Sequence, residues 1–317
     1  MQLGSLVGFG LVFVVVAWGL SLLSIVALRA GRHALRRLGP AAERRAVELA
    51  AVIPVILGVA IIAILLLASA TGVDHCYEHH HEAHFCVRHG GPWVNRTWAV
   101  SLVALAGIAA IVRTATLAAT IVRRRRTVAR LRRMSHHTDG IWWVDSPDAI
   151  CFVAGFRDPE VFVSTGTWNA LDEDERAAML AHEHAHIRHH DIVRRLVVDV
   201  LSSVGAPVAS LIRALWDSAT ERLCDARAAA ETGSGESVAS AMVKVCRLGV
   251  RARIAPSFPP SAHAVEERVA AVLADGSAGD RAARFLLAIV AVTLSSIVLA
   301  AVLHASSVHD ALEALLG

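Results

Sequence analysis

Residues 171–191 read LDEDERAAMLAHEHAHIRHHD, and this stretch decides what the chain is built around. Its centre, His182-Glu183-His184-Ala185-His186, is an H-E-x-x-H pattern. On a helix, side chains four apart share a face, so His182 and His186 can point at one ion. Glu183 lies one position along, where it can hold a water without being a ligand. The segment has the marks of a helix. Asp172 followed three residues later by Glu175 is a capping-box arrangement, and no glycine or proline intervenes before His190. His184, His189 and His190 fall on other faces, as solvated surface histidines would. A hydrolytic zinc needs three protein ligands and one open position, so a third ligand must come from elsewhere in the chain.

Around this helix the composition is not that of a soluble enzyme. Of 317 residues, 55% are hydrophobic and 19% charged, and the apolar excess is gathered in blocks. Four stretches are long enough to span a bilayer: Leu3 to Leu28, Leu49 to Ala70, Trp98 to Val122 and Phe285 to Leu303. The first lacks a basic leader and a small-residue cleavage site and reads as a retained helix. Leu196 to Trp216 is also apolar, but Asp199, Arg213 and Pro207 make it two packed helices rather than a further span. Arg113, inside the third span, is expected to snorkel toward the cytosolic surface or, failing that, to form an ion pair inside the helix bundle.

The arginines orient these spans. Arg29, Arg32, Arg36, Arg37, Arg44 and Arg45 lie between the first two, and Arg123 to Arg126 close the third. By the positive-inside rule both clusters are cytosolic. The expected fold class is a mostly α membrane protein, with four transmembrane helices and a cytosolic α+β zinc peptidase domain between the third and fourth. Residues 1–122 form the three-helix membrane region, 123–283 the peptidase domain, and 284–317 the last span with a short outer tail. A net charge of +3 gives no argument for nucleic acid; the bilayer and a protein or peptide substrate are the expected partners. The outer loop, 71–97, is rich in histidine between Cys76 and Cys86, which could close a disulfide in an oxidising compartment. Its histidines could bind metal, sense pH or be merely solvated. Asn95-Arg96-Thr97 matches a glycosylation acceptor, and the only tyrosine, Tyr77, lies in this loop.

Three segments together resemble the gluzincin membrane peptidases: residues 160–168 (EVFVSTGTW), residues 171–191, and Glu221-Arg222-Leu223-Cys224-Asp225. The last is similar to the family's E-x-x-x-D element. The resemblance implies Zn2+ as cofactor, His182, His186 and Glu221 as ligands, Glu183 as the catalytic base, and Asp225 orienting a ligand histidine. His263 and Arg268 resemble a histidine–arginine element that holds substrate and stabilises the oxyanion. Two groups share these motifs. The BlaR/MecR-type antirepressor peptidases are favoured by the E-x-x-C-D form, by three spans before the domain and one after it, and by the short stretch between His186 and Glu221. The alternative is a Ste24/HtpX-type housekeeping protease. Because the chain ends at Gly317, no β-lactam-binding domain is expected. The function implied is a zinc metalloendopeptidase of the cell membrane that cleaves a cytosolic or membrane-proximal protein such as a transcriptional repressor. A non-catalytic zinc-binding scaffold is the third reading, and it has no use for Glu183. The strand at Val161 to Ser164 is expected to pair with an extended substrate.

Overall fold

A computed structural model of the protein describes residues 3–70, 96–204, 208–251, 262–274 and 279–303. The histidine-rich loop, with Cys76, Tyr77, Cys86 and Asn95, lies outside these residues, as does the tail beyond Leu303. Among the described residues, three helices are long and apolar enough to cross a membrane, within α1 (Leu3–Ala30), α3 (Pro40–Ala70) and α4 (Thr97–Met134). The short α2 (Arg32–Leu38) joins the first two. Phe9 and Val12 of α1 pack on Leu65 of α3. A Cβ on Gly58 would stand 2.9 Å from the Phe13 ring, so the missing side chain lets these two helices close.

Two boundaries differ from the sequence reading. The second helix begins at Pro40, not Leu49, because proline suits a first helical turn and nothing breaks the helix after it. Arg44 and Arg45 therefore ride on the spanning helix itself. The third helix runs through its arginines to Met134, and the chain turns extended only at Ser135.

From there the chain forms β1 (Ser135–Thr138), β2 (Ile141–Val144), β3 (Cys151–Ala154) and β4 (Glu160–Ser164), in the order β1-β2-β4-β3. Asp139 and Gly140 both take positive φ, 53° and 80°, in the two-residue turn between β1 and β2, as a type I′ hairpin requires. Gly155, φ 119°, is also obligatory: a Cβ there would stand 2.1 Å from the Asp158 carbonyl oxygen. Both faces of the sheet are covered. Val161 and Val163 pack on Leu171, Met179 and Ala241, while Phe162, Val144 and Ala154 pack against Val128 and Leu131 of α4. β4 is paired on both sides, parallel to β2 and antiparallel to β3, so it has no edge to offer a substrate. The expected substrate strand is thus the wrong one; β3 lies at the sheet's edge.

The helices that follow are α5 (Thr165–Ala170), α6 (Glu173–Arg188), α7 (Asp191–Val204), α8 (Ala209–Thr232), α9 (Gly235–Arg251), α10 (Ala262–Leu273) and α11 (Asp280–Leu303). Residues 196–216 do form two helices, and their charges meet: Arg213 Nε donates to Asp199 Oδ1 at 2.6 Å. α11 covers the expected fourth span, and its Ala283 packs with Ala41, Ala42 and Leu223. Ile25, Val47 and Ala51 of the membrane helices share one core with Val198, Ile212 and Trp216 of α7 and α8.

Candidate metal centre

The helix α6 starts where its sequence dictates. The Asp172 side chain accepts from the Glu175 backbone N–H, and the Glu175 carboxylate accepts from that of Asp172. Such caps are worth about 1 kcal/mol each. Ala178 and Ala181 of α6 meet Ala228 of α8, and these small side chains let the two helices approach closely. Across that seam His182 and His186 face Glu221. The two Nε2 atoms are 3.2 Å apart, and each is 3.7 Å from a Glu221 carboxylate oxygen.

Beneath the open side, each imidazole is held from behind. His182 Nδ1 is 2.9 Å from Asp225 Oδ1, and His186 Nδ1 is 2.8 Å from Asp191 Oδ2. The side chains of Asp225 and Asp191 are 1% and 7% exposed, against 39% for Glu221, so the cluster opens on the Glu221 side. Asp191 reaches its place through a left-handed residue, His190, φ 53°, which breaks the helix between α6 and α7.

A metal fits this set. With each Nδ1–H donated to a carboxylate, both Nε2 lone pairs point at one another, an arrangement that repels unless a cation lies between them. Tetrahedral nitrogen ligands at 2.0–2.1 Å stand about 3.3 Å apart, close to the spacing seen. Around the histidines, Glu183, Glu221, Asp225 and Asp191 bring four carboxylates against the two guanidinium groups of Arg44 and Arg268. A divalent cation matches that deficit. Burial opposes protonation of His186, yet with no cation present the Asp191 and Cys224 hydrogen bonds push its pKa up to about 12. A second grouping, His186 with Asp191 and Cys224, is a poorer candidate. It is closed to solvent at Asp191 and Cys224, and Asp191 is already paired with Arg44.

Each residue expected from the sequence can now be placed. His182, His186 and Glu221 converge, Asp225 stands behind His182, and Glu183 is buried beside them at 8% exposure. Arg268 does not stand free to meet an oxyanion. Its Nε and Nη2 each lie 2.7 Å from an Asp225 oxygen, and its Nη1 is 2.9 Å from Glu221. Burial raises the Glu221 and Asp225 carboxyls, but beside Arg268 and the histidines both are lowered, Asp225 to about 2. His263 lies in the first turn of α10, and its side chain falls outside the description. Three participants had gone unassigned. Asp191 closes the quoted motif, Arg44 was counted only as a topogenic charge, and Cys151 of β3 brings its Sγ within 3.4 Å of Glu183 Oε1. Burial and the Glu183 charge push the Cys151 thiol well up, so it stays protonated and donates.

The sequence model of Peptidase family M48 matches residues 115–243. That stretch runs from the middle of α4 into α9 and includes His182, Glu183, His186, Glu221 and Asp225. It supports the M48 metallopeptidase family and, with the apolar helices, a membrane-associated metalloprotease. No solved structure matches the chain.

Proposed function

We propose that the chain is an integral-membrane zinc metalloendopeptidase whose centre is held by His182, His186 and Glu221, with Glu183 as its general base. The observation that carries this reading is the convergence of two Nε2 lone pairs and one carboxylate beside a buried glutamate. Zinc bound there would polarise the scissile carbonyl and make a bound water acidic. Glu183 takes the proton of the attacking water and returns it to the leaving nitrogen. The Cys151 thiol holds one Glu183 oxygen, which fixes the carboxylate's rotation. Asp225 and Asp191 hold the imidazoles in one tautomer. Arg268 acts through Asp225 and Glu221 rather than on substrate.

β3 is the natural seat for an extended peptide. The Ser164 N–H donates to the Ile150 carbonyl, so the antiparallel alternation turns Phe152 inward to β4 and the Cys151 and Val153 backbone groups outward. Those groups lie along the strand whose Cys151 touches Glu183. The four-span topology with a cytosolic peptidase region follows from the arginine clusters, with α11 as the fourth span. The substrate is a cytosolic or membrane-proximal protein. Among the described residues α7 leads almost directly to α8, with no span between the histidine helix and Glu221, which favours the antirepressor form over a housekeeping protease. A repressor gene beside this one is the observation that would separate these two.

The test is zinc content and peptide cleavage in detergent-purified protein. Glu183→Gln is expected to keep about one zinc per chain and to lose roughly 100-fold or more in turnover. Glu221→Ala is expected to lose zinc. Full turnover in the first variant removes the general base, and full zinc in the second removes the ligand set.

A further inference from the structure

The two histidines are braced in the same way, carboxylate first and guanidinium second, but the second guanidinium comes from an unexpected place. Behind His182 stand Asp225 and then Arg268 of α10. Behind His186 stands Asp191, and its other oxygen, Oδ1, accepts from Arg44 Nη1 at 2.8 Å. Arg44 belongs to α3, the second membrane helix, and lies outside the stretch that matches the peptidase family.

Resting on the zinc reading above, we propose that Arg44 is a positioning residue of the metal centre, by which a membrane helix fixes His186. Arg44 and Asp191 side chains are each 7% exposed, so neither can exchange its partner for water at low cost. Held only at Oδ2, by His186 and more loosely by the Cys224 thiol at 3.6 Å, the Asp191 carboxylate could swing about its side-chain torsion and carry the imidazole with it. A charged hydrogen bond on the opposite oxygen removes that freedom. Arg44 is itself fixed from behind. Glu48, one turn along α3, is 3.8 Å from Arg44 Nε and also accepts from Arg45, from Arg194 of α7 at 3.2 Å, and from the Trp216 indole of α8 at 3.4 Å. Asp191 and Glu48 thus tie α3 to α7 and α8. A shift of α3 against α7 withdraws the guanidinium from Asp191 and loosens one ligand histidine while the Arg268 brace on the other stays in place.

The experiment is zinc affinity by chelator competition, with the visible spectrum of the cobalt-substituted protein as a report on ligand geometry. Each variant is also melted without metal. Arg44→Gln is expected to bind zinc about tenfold more weakly, the range found for partners that orient ligands, and to alter the cobalt spectrum. Arg194→Gln, which breaks the same network without touching Asp191, is expected to keep both. In an Asp191→Asn background Arg44→Gln should add nothing. Wild-type affinity in Arg44→Gln, or equal losses in Arg44→Gln and Arg194→Gln, overturns the proposal. Should Arg44→Gln fail to fold, Arg44→Lys takes its place. It keeps the charge but reaches Asp191 with one rotating donor, so a several-fold loss is expected and unchanged affinity overturns the proposal. Wild-type protein without stoichiometric zinc, or His186→Ala with undiminished affinity, would instead sink the zinc reading on which this rests.

Discussion

Glu175 shows how one buried side chain sets the start of α6, the helix that carries His182 and His186. It is 3% exposed, and its carboxylate accepts from the Asp172 N–H, from Ser240 Oγ at 2.5 Å and from Lys244 at 2.6 Å. Burial alone would raise its pKa above the ordinary 4.5, but the Lys244, Ser240 and Asp172 hydrogen bonds hold it at about 2. A depressed carboxyl contributes stability that is complete above its unfolded pKa and is lost as pH falls through the folded one. Wild-type melting temperature should therefore fall between pH 4.5 and about 2. Glu175→Gln should melt lower at neutral pH and show a shallower fall over that window; identical slopes in the two proteins would refute the assignment. At this scale the sequence was legible where partners are local. The capping box, His182, Glu183 and His186 lie on one helix and could be read from spacing, while Glu221 and Asp225 came through resemblance. Arg44 and Asp191 are 147 residues apart, and no local pattern marks one as the other's partner.

The same division holds for elements. The strand expected at Val161 to Ser164 is there, as Glu160–Ser164, but a strand's own pattern does not name its neighbours, and β4 proved to be central. β3 has only four residues, too few for its alternation to declare an edge. Its outward groups give a direct prediction. Val153→Pro removes an outward N–H while leaving the Phe152 pairing with β4 intact, and proline is tolerated on edge strands. Relative to Val153→Ala, which shares the loss of packing, Val153→Pro should raise KM for a peptide substrate roughly fivefold, as one backbone hydrogen bond is worth about 1 kcal/mol. Equal KM values in the two variants would mean that substrate does not lie along β3.

For the whole molecule, the apolar runs announced helices fit to cross a membrane, but not how far the ends of those helices enter the core that α7 and α8 build. Val47 and Ala51 look the same in sequence whether they face lipid or Trp216, and only the fold shows the second. The unbroken α3 has a further consequence on the proposed topology. Arg44 precedes the apolar run at Leu49 by five residues, about 7.5 Å of helix. The scissile position is thereby hung at a fixed depth below the lipid face. An extended chain covers about 3.3 Å per residue, so a bilayer-anchored substrate reaches that depth with roughly two to three residues. Anchored peptides with graded spacers should be cut fastest at such short tethers, and a rate indifferent to spacer length would exclude the idea. The enzyme would then choose its bond by measuring from the membrane, as a gauge does, with sequence preference left to refine the cut.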